Sequence, residues 1–424
     1  MRRRGRRLGS VDSTLERMMQ ARILTLLIAA VTGCCLPAQD LVTVSLVAGP
    51  PIKGRFAGVS EDGALQIQTR GESLATVPQD KIVTAVFSEV LTPAQRGAAR
   101  IHMVSGDAFV GAIEGGDFDE IALATQAAGS FRVFLDHVSM VVLLDHRKSA
   151  ADLPASVAGA DSDELFLRRG DRLDRLPGEM QRLERAGVVF DSAAGEGRLF
   201  SFLKDSVVAV RLAETDPYKE PDALLCVARF KDGTRMTGSL SRGESGQMAL
   251  KLTVGPTVML DADFLASLEF KSSTFMFLSD ADPVAYTEVP YLEGGPKYGL
   301  KRDEGFRRGD KLIIGDKVFR KGLGIHARAA CTYALDGRFD ALRAEVGVDP
   351  VTRNRSVPGS VRVRVTVDGE DIWKSPLMLA GEAPVPIYLK GLGGKARLTL
   401  EVVFGDSRGT GARAVFGDAM VLKE

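Results

Sequence analysis

The chain has 424 residues, 45% hydrophobic and 26% charged, which is ordinary for a globular protein of two or more domains. Its 55 Lys and Arg balance 55 Asp and Glu, so the basic surplus expected of a nucleic-acid binder is absent. Forty-five Gly and few long apolar stretches of helical period predict many turns and short strands.

Residues 1–39 read as a targeting segment. Arginines precede the apolar run Ile23–Val31, which is too short to span a bilayer and suits a secretory signal. Ala38 places a small residue before a cleavage point near Gln39. Val31-Thr32-Gly33-Cys34 also reads as a lipobox, in which Cys34 would be acylated. Either route predicts a secreted, periplasmic or cell-surface protein with no transmembrane span in the mature chain. Cys226 and Cys331 would remain, and two buried free thiols are expected. No Cys and His spacing marks a metal site.

A degenerate repeat then occurs four times, over residues 40–91, 98–148, 162–214 and 222–274. Its first glycine falls at Gly49, Gly106, Gly170 and Gly233, with spacings of 57, 64 and 63 residues. A second glycine follows in each copy, at Gly54, Gly111, Gly178 and Gly238. Apolar and polar residues alternate with period two, as in Val42, Val44 and Leu46 against Thr43 and Ser45. The first glycine permits a positive φ in a tight turn, and the second permits a bend or bulge. Five short, bent strands of this kind predict a small SH3-like or Sm-like barrel, so the repeats are expected as a row of barrels. Thr92-Pro93 predicts a short capped helix through Arg96, residues 149–163 a flexible spacer, and 213–222 a proline-bearing linker.

Residues 276–424 differ. Lys321-Gly322-Leu323-Gly324-Ile325-His326-Ala327-Arg328 is followed by Tyr333–Gly337, by Val346–Asp349, and by a strand in which Val361, Val363, Val365 and Val367 alternate with polar residues. Leu398, Leu400, Val402 and Phe404 alternate in the same way, which predicts two packed sheets. With the lead-in Leu278-Ser279-Asp280 and Tyr298–Asp303, this series resembles the NPCBM family, a carbohydrate-binding module found beside glycosidase domains. The resemblance implies a galactose-binding-like jelly-roll β-sandwich, carbohydrate or glycan as partner, and a place outside the cell. Near the end the chain departs from the family pattern: Phe416 stands where Trp is usual, and Asp418 keeps one acid. No cofactor is called for, and a bound calcium is left open.

Sugar recognition needs an aromatic face against the C–H face of a ring, with a few fixed polar groups for its hydroxyls. The candidates are Trp373, the only Trp in the chain, Tyr388, His326, Arg328 and Asp349. Each also has a plainer role: packing for Trp373, a backbone-bonded histidine for His326, a loop-forming acid for Asp349. Gly405-Asp406-Ser407-Arg408-Gly409 matches a nucleophile elbow, but no helix is predicted to follow it. Gly322-Leu323-Gly324 matches a dinucleotide fingerprint only loosely, with no βαβ unit around it. No carboxylate pair stands in a recognisable catalytic frame. The expected protein is an exported, all-β, noncatalytic glycan binder. The alternative is a cell-envelope structural or protein-interaction protein, with envelope proteins as partners and no sugar site.

Overall fold

A computed structural model describes residues 41–423 except 72, 89, 94–96, 147–152, 154–160, 193–194, 214–217, 245, 308 and 408. The targeting segment, Cys34 and most of the spacer at 149–163 lie outside the described residues, as does most of the short helix expected after Thr92. Among the described residues there are strands and 3₁₀ turns and no α-helix, and no helix is long and apolar enough to cross a membrane.

The first twenty strands form four barrels of five. In the first, Val42–Leu46, Ile52–Val59, Leu65–Thr69 and Leu74–Val77 pair in succession. A 3₁₀ turn, Gln79–Lys81, then returns the chain as Ile82–Val86, which closes the barrel on Val42–Leu46. The second barrel runs from Ala99–Met103 to Val138–Leu143, the third from Asp163–Arg169 to Val207–Arg211, and the fourth from Leu225–Phe230 to Leu265–Lys271. In all three the last strand closes on the first, and in the second and fourth a 3₁₀ turn again precedes it.

Both glycines of the repeat have a physical reason. Gly49, Gly106, Gly170 and Gly233 all adopt positive φ, between 61° and 94°, at the turn after the first strand. Gly54, Gly111, Gly178 and Gly238 sit in the second strand. There a Cβ would collide with the backbone carbonyl of Gln68, Ala124, Asp191 or Lys251 on the third strand. Only glycine lets the second strand bend that closely over its neighbour.

The order of the barrels in space is not their order in sequence. The last strand of the first barrel pairs antiparallel with the last strand of the fourth, Leu268 opposite Ala85. The last strand of the second pairs with that of the third, Val141 opposite Val210. The second and fourth meet where the first turn of each leads into its second strand: buried Asp107 accepts from Thr237 N at 3.0 Å and Thr237 Oγ1 at 2.6 Å, and Val110 N donates to Thr234 Oγ1 at 3.0 Å. The row therefore reads third, second, fourth, first. One continuous apolar core runs through it, with Phe109, Phe190 and Phe230 almost wholly buried. Burying each such side chain contributes roughly 1.5–3 kcal/mol. Cys226 lies in this core and Cys331 in the next, both as free thiols.

The C-terminal part is a β-sandwich. One sheet orders Lys301–Arg302, Gly322–His326, Arg413–Leu422, Ala341–Val348 and Val385–Lys390. The other orders Ala285–Glu288, Ala329–Ala334, Arg397–Phe404, Ser360–Val367 and Glu370–Lys374. Leu323, Ile325, Val346, Val363, Leu400 and Phe416 fill the space between them. On the far side of the first sheet, Ala341, Met420 and Leu422 join the barrel core. Arg343 also donates from Nη1 to the carbonyls of Leu46 and Val47 in the first barrel, at 2.7 and 2.8 Å. The elbow-like Ser407 is structural: it is buried, and its Oγ and N exchange hydrogen bonds with N and Oγ of Ser360 at 3.0 and 2.9 Å.

Candidate functional site

The Gly-x-Gly of the signature builds a platform. Alternation along Gly322–His326 sends Leu323 and Ile325 into the core and leaves Gly322, Gly324 and His326 on the outer face. On that face a small hairpin, Leu312–Ile314 with Lys317–Phe319, lies flat and forms its own apolar cluster with Val415 and Phe306. Glycines make room for it. A Cβ at Gly347 would strike Ile314, one at Gly417 would strike the Phe319 ring, and one at Gly324 would sit 3.2 Å from Phe306. The motif that loosely matches a dinucleotide fingerprint is thus a strand onto which an aromatic-bearing segment packs.

That segment completes a rim at the end of the sheet. His326 pairs across the ladder with Arg413, and Asp349 N donates to Arg413 O at 3.0 Å, so three adjacent strands bring His326, Arg413 and Asp349 together. Tyr298 stacks on the His326 ring, centroids 4.2 Å apart at 20°, and keeps 47% of its surface in solvent. Phe306 stands edge-on to the same imidazole at 6.5 Å, and the Arg413 guanidinium lies 5.4 Å over the Phe306 ring. Glu288 fixes the Tyr298 loop by accepting from Tyr298 N at 2.8 Å and Gly299 N at 2.9 Å, while Gly299 takes φ +69°.

The electrostatics of the rim follow from burial. Burial pushes the His326 pKa down, so the ring is neutral near pH 7. Its Nδ1 lies 2.9 Å from Ala327 O and donates to it in the neutral form, which leaves Nε2 as an acceptor. Burial pushes the Asp349 carboxyl up, and its Oδ1 caps the 3₁₀ turn Pro350–Thr352 by accepting from Val351 N at 2.9 Å. Arg413 Nε is buried without a hydrogen-bond partner. The rim therefore offers an exposed aromatic face, a neutral imidazole acceptor, a guanidinium and a carboxyl within one patch.

Of the five residues singled out in the sequence, the fold brings His326 and Asp349 together and sets Arg328, exposed, two residues beyond His326. Trp373 and Tyr388 stand elsewhere. Trp373 is on the edge strand Glu370–Lys374 of the other sheet, opposite Val365, half-buried against the core. Tyr388 is on the opposite edge strand, Val385–Lys390, opposite Arg343. Tyr298, Phe306, Arg413 and Glu288 belong to the rim and were not singled out. Tyr298 lies in a loop between strands and carries no periodic signal, although Gly299 directly after it marks a turn. Among the described residues no group of three His, Cys, Asp or Glu side chains is placed to hold a metal ion.

No curated protein matches the chain. Among solved structures, the chain is similar to CBM51 from Clostridium perfringens GH95 in complex with methyl-galactose, at 23% identity and TM-score 0.30, over 35% of this chain and 99% of that one. It is also similar to the CBM51-2 and INT domains of Clostridium perfringens ZmpB, at 20% identity and TM-score 0.31, over 39% and 36%. A third similar structure is the tandem CBM51 modules of Sp3GH98, the family 98 glycoside hydrolase from Streptococcus pneumoniae, at 13% identity and TM-score 0.31, over 77% and 88%. The family model of the NPCBM/NEW2 domain matches residues 277–422, so the C-terminal third of this chain is an NPCBM domain.

Proposed function

We propose that this protein binds carbohydrate through the rim of its NPCBM domain, with Tyr298 as the ring platform. The observation that carries the reading is the Tyr298–His326 stack. It is a rigidly held aromatic with nearly half its surface in water, beside polar groups that suit hydroxyls. In this reading Nε2 of His326 accepts from one hydroxyl, and Arg413 and Asp349 bond its neighbours. Arg328 borders the site, whereas Trp373 and Tyr388 serve packing and the domain's edge. The protein acts without catalysis, is exported by its N-terminal segment, and uses the four barrels, divided as the repeats suggest, as a spacer.

The experiment is a glycan array probed with the full chain, followed by titration calorimetry on the best saccharide, with a methyl galactoside as the first probe. Tyr298→Ala is expected to weaken binding at least about tenfold, a loss of about 1.4 kcal/mol. Failure to retain any glycan, or undiminished binding by the variant, overturns the reading.

A further inference from the structure

The third barrel departs from the other three, and the departure carries charge. Its two repeat glycines, Gly170 and Gly178, are eight residues apart, against five in every other barrel. The extra length extends the hairpin between Asp163–Arg169 and Arg172–Glu184 and places Arg172 and Arg175 on it. The 3₁₀ turn before the last strand is replaced by a turn through Lys204 and Ser206, the latter at φ 53°. Between hairpin and turn lies an open groove of about 680 Å³.

The groove is lined by Arg168, Arg169, Arg172, Arg175, Arg198 and Lys204, with Asp174 and Asp205 as the acids. From Asp163 to Arg211 the barrel holds nine basic and nine acidic side chains. A neutral barrel has therefore moved two-thirds of its cations, and only two of its acids, to one groove. Arg169 is held by Asp174 at 3.2 Å and Arg175 by Glu164, while Asp205 accepts from Ser201 N at 2.7 Å. Arg172, Arg198 and Lys204 form no ion pair with a described carboxylate, and Arg198 stands 4.6 Å over the Phe200 ring. Cations collected in a concave site without partners raise the local concentration of an anion. Guanidiniums on a rigid hairpin suit planar or multidentate oxyanions.

We infer that this groove binds an anionic polysaccharide, one bearing carboxylate or sulfate groups. A nucleic acid fits less well. Among the described residues the only aromatic lining the groove is Phe200, 3% exposed beneath Arg198, so they offer no base platform. The chain as a whole also carries no basic surplus. The third barrel ends the row opposite the barrel that Arg343 ties to the NPCBM domain. The groove is a site of its own and does not depend on the Tyr298 rim.

The test measures binding of the full chain to dextran sulfate, with neutral dextran of equal length and single-stranded DNA of equal charge as comparisons. Dextran sulfate is expected to bind with an affinity that falls as salt rises, and neutral dextran not to bind. The triple variant Arg172→Gln, Arg198→Gln, Lys204→Gln is expected to lose at least about tenfold in affinity, because three unpaired cations are gone. The control triple Lys53→Gln, Arg55→Gln, Lys251→Gln removes three exposed cations elsewhere and is expected to lose less than about twofold. Tyr298→Ala is expected to leave this binding unchanged, which separates it from the rim. Equal losses in the two triples, or equal binding of neutral dextran, would overturn the site. Tighter binding of the DNA would overturn the polysaccharide.

Discussion

The barrels and the NPCBM domain are both built from short antiparallel strands, and in both a Cβ at particular glycines would collide with a neighbour. The reasons differ. In the barrels a Cβ at Gly54, Gly111, Gly178 or Gly238 meets a backbone carbonyl, so glycine lets one strand bend across its neighbour. In the NPCBM domain a Cβ at Gly347 or Gly417 meets the side chain of Ile314 or Phe319, so glycine lets a separate hairpin lie on a finished sheet. The first arrangement makes a closed scaffold. The second makes a layered surface on which aromatic and polar groups can be displayed. Composition follows: five of the six Tyr and the sole Trp lie beyond residue 276, whereas the barrels are filled mainly with Val, Leu, Ile and Phe.

The contrast can be broken most forcefully at the glycines. Gly178→Ala is expected to cost about 3 kcal/mol in urea denaturation, because a carbonyl in a ladder cannot step aside. Gly417→Ala is expected to cost less, about 1–2 kcal/mol, because the Phe319 ring can turn. The reverse order would mean that the barrels flex more readily than the layered hairpin.

Arg343 tests how far the two regions act as one. Its two bonds to the carbonyls of Leu46 and Val47 are charge-assisted and half-buried, so Arg343→Ala is expected to cost about 2 kcal/mol. It is also expected to split the thermal transition by calorimetry. A single sharp transition in the variant would show that the shared apolar contacts couple the regions unaided.

Glu288 sharpens the proposed role of the rim. Glu288→Ala frees the Tyr298 and Gly299 amides and is expected to weaken glycan binding about tenfold, or about 1.4 kcal/mol, with little change in melting temperature. A drop in stability with unchanged affinity would mark Glu288 as a folding residue alone.

The smallest effect concerns pH. Burial pushes the Asp418 carboxyl up to about 6, with Arg343 opposing the shift. The folded state therefore holds its proton more tightly than the unfolded state does. Stability from this group is greatest below about pH 4 and is lost as pH rises through 6. Asp418→Asn is expected to raise the melting temperature by a few degrees at pH 8 and by nothing near pH 3. Asn also tolerates the positive φ of 48° at this position. An equal gain at both pH values would assign the effect to packing.

Much of the architecture was legible in the chain. The four glycine pairs marked the hairpin turns and the bent second strands, and alternation at Val361–Val367 marked a sheet buried on one face. His326 and Asp349 were legible as site candidates because they close strand motifs. Tyr298 was not, because its place depends on Glu288 holding a loop ten residues away in sequence. Arg413 was not, because nothing local shows that its strand runs between those of His326 and Asp349. Trp373 drew notice as the only Trp, yet rarity says nothing about which sheet edge a strand will occupy.

By itself the sequence determined what depends on neighbours along the chain: strand period, turns that demand positive φ, and a signature whose glycines and apolar residues alternate between two faces. Only the tertiary structure decided that the barrels stand in the order third, second, fourth, first. It alone placed the cations of the third barrel on one groove and set Tyr298 over His326. Strand pairing and side-chain convergence are settled by which edges and faces can be buried together, and those partners lie tens to hundreds of residues apart in the chain.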